Sequence, residues 1–137
     1  MPVSIQRHRS AEPSLRIVCP NGHLGFAPIK PGSFAIGCAA EPDLICADSG
    51  SCDVGPGPLG ADVSSSPLRW QVQDLEAMLL AARRLGVPMI IGSAGDTGSN
   101  SRVDLFVDIV RDLRIEMAET EFRQPVFHGE FADDVDE

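Results

Sequence analysis

The sequence predicts an α/β domain: an open parallel sheet of about three strands with flanking helices, forming an incomplete doubly wound arrangement. Two observations carry this. Three short apolar runs, Leu15 to Cys19, Leu44 to Ala47 and Val87 to Ile91, are each followed by a Gly-rich or Ser-rich loop and then by a helix-like segment. The runs are apolar throughout rather than alternating, as expected of parallel strands covered by helices on each side. At 137 residues the chain is long enough for one domain, which would hide roughly two-thirds of its unfolded surface.

Taken in order, residues 1–14 hold Arg7, His8, Arg9 and Glu12 without an apolar stretch, so they lack the core of a secretory signal and are expected to be disordered. After the first strand, a helix is predicted from Gly32 to Ala40, closed by Pro42. Between Asp48 and Ser66 nothing helical is evident, so this connection is unusually long for its kind. The clearest helix starts at Ser66-Pro67, where serine suits the cap and proline the first turn, and ends before Gly86. Leu68, Val72, Leu75, Leu79 and Ala82 form its apolar stripe. A further helix from about Ser101 to Arg114 places Val103, Phe106, Val107 and Val110 on one face, with Arg111 and Arg114 near its end as the helix dipole prefers. The α/β body is thus 15–113. Residues 114–137 hold eight acids against two arginines and are read as a weakly ordered tail, because Phe122, Val126, Phe127 and Phe131 follow no regular spacing.

Composition narrows the function classes. A net charge of -9 with a single lysine, Lys30, argues against nucleic acid as a partner. No apolar run approaches the ~20 residues of a membrane span, so no membrane partner is expected and the cytoplasm is the default location. Cys19, Cys38, Cys46 and Cys52 include no Cys-x-x-Cys pair and are read as reduced thiols. Cofactor and metal are left open. Three strands leave sheet edges bare, which predicts a partner chain or homo-oligomer to cover them.

Right-handed crossovers bring all three strand-to-helix loops to the carboxyl edge of the sheet, where α/β proteins bind ligands. The third loop combines Gly92, Gly95 and Gly98 with Ser93, Thr97 and Ser99 just before a helix, which makes it a candidate cradle for a small anion, Asp96 included. It has neither the Gly-Lys-Ser/Thr of a phosphate-binding loop nor dinucleotide glycine spacing, and a plain flexible connection is the alternative. In the second loop, Asp48 and Asp53 are candidates for a general base or metal ligand, with Asp96 as a third carboxylate; alternatively Asp48 caps a turn and Asp53 faces water. His23, expected to be exposed on the first loop, is a candidate acid/base group or else ordinary surface. Cys52 would be a nucleophile only if a base lowered its pKa.

The stretches Cys19-Pro20-Asn21-Gly22-His23-Leu24-Gly25-Phe26, Ala47 to Pro56 and Ile91 to Gly98 together resemble the amino-terminal portion of the acyclic terpene utilisation (AtuA-like) proteins. The likeness covers about Leu15 to Leu113 and fades into the acidic tail. Members of that family are much longer, and some are linked with bacterial breakdown of acyclic terpenoids such as citronellol and geraniol. The resemblance implies a fragment or subunit of a catabolic protein; the alternative is a noncatalytic or vestigial domain. It assigns no catalytic residue.

Overall fold

The computed structural model describes residues 14–50 and 56–116. It contains strands β1 (Ile17–Val18), β2 (Leu44–Asp48) and β3 (Met89–Gly92), and helices α1 (Pro31–Ala39), α2 (Gly57–Ala61), α3 (Leu68–Leu85) and α4 (Asn100–Glu116). A 3-10 turn, Ala94–Asp96, follows β3. The strands form an open parallel sheet in the order β1-β2-β3. The α/β class and strand number are those expected from the sequence.

Register decides which face is covered. Val18, Ile45 and Met89 are in line across the sheet, and successive residues alternate faces. Gly37 of α1 lies against Val18, so closely that a Cβ would come within 3.2 Å of it, and α3 packs over β2 and β3. These helices therefore cover the face of Val18, Ile45 and Ala47, and α4 packs against α3. On the opposite face Ile17 and Ile90 remain 51% and 55% exposed. Among the described residues the second helical layer of a doubly wound sheet is thus missing, and the uniformly apolar runs overstated the covering.

Each helix has a local cause. Proline at the first turn starts α1, and Phe34 and Cys38, one turn apart, enter the core. Gly86, at φ 65°, ends α3 by donating to the carbonyls of Ala82 and Arg83. Burial of Leu75, Met78 and Leu79 stabilises this helix by about 1.5–3 kcal/mol per side chain. The buried face of α3 is rotated from the predicted stripe: Leu68 is exposed, whereas Gln71 and Asp74 are buried. In α4 the buried residues are Phe106, Ile109, Val110 and Leu113, and the helix runs to Glu116, two residues past its expected end.

Two local expectations fail. The 48–66 connection includes helix α2, whose Pro58 sits in its first turn and whose glycines masked any periodicity. Ser66 does not cap α3, since Pro67 occupies the cap position and the serine hydroxyl is engaged elsewhere. No described helix is long and apolar enough to cross a membrane. Asp53, Cys52, residues 1–13 and the tail beyond Glu116 lie outside the described residues, so their expected roles and disorder do too.

Candidate functional site at the strand-end loops

The loops after β1, β2 and β3 meet at the carboxyl edge of the sheet through backbone bonds. Leu24 N–H donates to the Asp48 carbonyl at 2.9 Å, Ser49 N–H to the Gly92 carbonyl at 2.8 Å, and Asp96 N–H to the Ser49 carbonyl at 3.1 Å. Gly50 passes so close that a Cβ there would lie 2.5 Å from the Asp96 carbonyl oxygen, hence only glycine fits. His23, Asp48 and Asp96 are thereby gathered at one edge.

Asp96 is the hub of this edge. Its side chain has no solvent exposure, and the residue adopts φ 75°, a left-handed conformation uncommon outside glycine. Oδ2 accepts from the Ser64 hydroxyl at 2.6 Å, from the Ser65 N–H and from the Ser66 N–H at 3.1 Å. Oδ1 meets His23 Nε2 and accepts from the Ser66 hydroxyl at 3.2 Å. Burial acts to raise the carboxyl pKa. The bonds from Ser64, His23, Ser66 and Ser65 outweigh it and bring the value down to about 2.

His23 is 3% exposed, not a surface residue as expected. The turn around Asn21 drives it inward: Asn21 Oδ1 accepts the His23 N–H at 3.0 Å, and Asn21 Nδ2 donates to the Ala27 carbonyl and, at 3.3 Å, to Asp74 Oδ2. Ser66, His23 and Asp96 match a hydrolytic triad in composition but not in wiring. A relay needs the hydroxyl and the carboxylate on different ring nitrogens. Here both meet Nε2, and Ser66 is only 5% exposed. The arrangement clamps the first and third loops to the start of α3.

Asp48 caps a turn, its Oδ1 accepting the Gly50 N–H at 2.8 Å. Among the described residues no group of three or more His, Cys, Asp and Glu side chains is placed to hold a metal ion. Of the third-loop residues proposed as ligand contacts, Gly95 and Asp96 are buried, Thr97, Gly98 and Ser99 are half-buried, and Gly92 and Ser93 are exposed. Ser93 is left-handed at φ 48°.

At the start of α4 the hydroxyls of Ser99 and Ser101 donate to Asp62 Oδ1 at 3.1 and 2.5 Å, and Arg102 Nε lies 3.4 Å from the same oxygen. Ser101 is the main cause of a lowered Asp62 carboxyl pKa, with Ser99 and Arg102 adding to it. The Arg102 side chain lies over Gly95, where a Cβ would come within 3.0 Å of it. Sequence reasoning missed Asp62, Arg102, Asp74 and the Ser64–Ser66 donors. Only the serine run before Pro67 hinted at an acceptor nearby.

A groove of about 460 Å³ between α1 and α3 is lined by Phe34, Cys38, Asp74, Ala77 and Arg84 among others, and contains none of the predicted site residues. Compared with protein-family models, curated proteins and solved structures, the chain matches none of them.

Proposed function

We propose that this chain is the ligand-binding portion of an AtuA-like catabolic protein, holding a small anion at the start of α4. One observation carries the reading: the chain's own Asp62 carboxylate already sits there, bound by Ser99, Ser101 and Arg102. Two hydroxyls and a guanidinium at a helix N-terminus suit a carboxylate or phosphate oxygen, and the helix dipole adds to the attraction. Asp62 is more than half exposed at the end of the short helix α2, so a free anion competes with a tethered, displaceable occupant. Within the earlier candidate set this keeps Ser99, with Thr97 and Gly98 shaping the turn, and gives Asp96 a positioning role.

Displacement supplies the test. Thermal-shift and titration measurements with inorganic phosphate, short-chain carboxylates and coenzyme A thioesters are made on wild type and on Asp62→Ala. Each shift is referred to that form's own melting temperature. Removing the resident carboxylate is expected to tighten binding of at least one probe by on the order of tenfold, about 1.4 kcal/mol. Arg102→Ala in the same background is expected to abolish the gain. No response to any probe in folded Asp62→Ala overturns the reading.

A second reading, a noncatalytic domain, is favoured by the wiring of His23. With the Ser66 hydroxyl and the Asp96 carboxylate on the same Nε2 and the serine buried, His23 is wired as a clamp rather than as a relay to that hydroxyl.

A further inference from the structure

The uncovered sheet face carries two thiols that the anion cradle does not use. Cys19 and Cys46 each stand one residue beyond the paired Val18 and Ile45, so they are neighbours across β1 and β2 on the face of Ile17 and Ile90. The two thiols lie beside each other, and Cys19 Sγ donates to the Asn21 carbonyl at 3.2 Å. Cys19 is exposed, Cys46 half-buried and Cys38 buried. Neighbouring strands lie about 4.7–4.9 Å apart, within the Cα separation of about 4.4–6.8 Å that a disulfide spans. Burial, with the Cys19 thiol beside it, pushes the Cys46 thiol up, which leaves the exposed Cys19 as the attacking sulfur.

We propose that Cys19 and Cys46 are an oxidisable dithiol, closed to a disulfide across β1 and β2 when a hydroperoxide reaches the open sheet face. The Cys19 thiolate attacks the terminal peroxide oxygen, breaking the O–O bond to give a sulfenic acid and, after protonation, water or an alcohol. Cys46 sulfur then attacks the sulfenic sulfur. The S–O bond breaks, and hydroxide leaves as water with the Cys46 proton. Two thiols lose two electrons and the peroxide gains them. Closure also removes the thiol proton donated to the Asn21 carbonyl, and Asn21 holds the His23 turn.

The experiment treats the reduced full chain with one equivalent of hydrogen peroxide, blocks remaining thiols with N-ethylmaleimide and maps peptides without reductant. The expected product is a Cys19–Cys46 linked peptide, with free thiols counted after denaturation falling from four to two and returning to four with dithiothreitol. In Cys46→Ala the linked peptide is expected to vanish and Cys19, given a second equivalent of peroxide, to pass on to sulfinic acid. The wild-type map decides alone if that variant does not fold. Finding Cys19 as sulfinic acid in wild type, or joined to Cys52 or to another chain while Cys46 stays a thiol, overturns the proposal.

Discussion

Replacing Asp96 by alanine is expected to destabilise the fold by about 3–5 kcal/mol, the usual cost of removing one partner from a buried charged network. The substitution strands the N–H groups of Ser65 and Ser66, the hydroxyls of Ser64, Ser65 and Ser66 and the His23 ring, all of which now end on one carboxylate. Urea denaturation at neutral pH measures it, and a loss below 1 kcal/mol would show that water reaches these donors. The acid limb gives an independent check. The folded carboxyl pKa of about 2 lies below its unfolded value of 3.8, so its contribution is complete above pH 3.8 and is lost as pH falls toward 2. The shift corresponds to about 2 kcal/mol. Wild type minus Asp96→Asn stability should therefore shrink by about that amount between pH 5 and pH 2. A constant difference would mean that Asp96 is not ionised in the fold.

Asp74→Ala is the second large effect, expected at about 2–4 kcal/mol. Asp74 is 1% exposed on α3, and its carboxylate accepts the N–H of Gly25 at 3.1 Å and of Ile29 at 2.9 Å. An alanine leaves two buried backbone donors unpaired, each costing about 1–3 kcal/mol. Asp74→Asn keeps one acceptor but turns an amide NH2 toward the second donor, so it should recover only part of the loss. Denaturation of the three forms, with the Gly25 and Ile29 amide shifts as local probes, distinguishes this from cavity formation. Equal stability of all three would remove Asp74 from the clamp.

The strands were legible because Leu44 to Ala47 and Val87 to Ile91 are apolar, short and bounded by turn residues. Their parallel arrangement followed from the helices between them. Convergence of the loops was legible for the same topological reason. Burial of His23 was not, since it depends on an Asn21 turn tied to α3, which no local pattern discloses. The face of α3 was misread because Gln71 and Asp74 look solvent-facing by residue type. Both are buried, Asp74 holding the first loop and Gln71 Nε2 donating to Ser64 at 2.5 Å. Helix α2 escaped notice because a five-residue element with two glycines buries nothing and has no stripe. The hydroxyl-rich run before α4 was legible as a loop chemistry, but the carboxylate it binds, Asp62, lies 37 residues from Ser99 and only the fold joins them.

Loops that carry ligands are commonly the first parts of a domain to open on their own. The clamp around Asp96 reverses that ordering. The amides of Leu24, Ser49, Ser66 and Asp96 are bonded across loops that belong to three different strands and one helix. None of them can exchange its proton by the fraying of a single loop. Hydrogen exchange at these four amides is therefore tied to unfolding of the whole body. The more than half exposed Asp62, held only by side chains at the start of α4, remains the place where this edge yields at low cost while the sheet and its clamp stay closed.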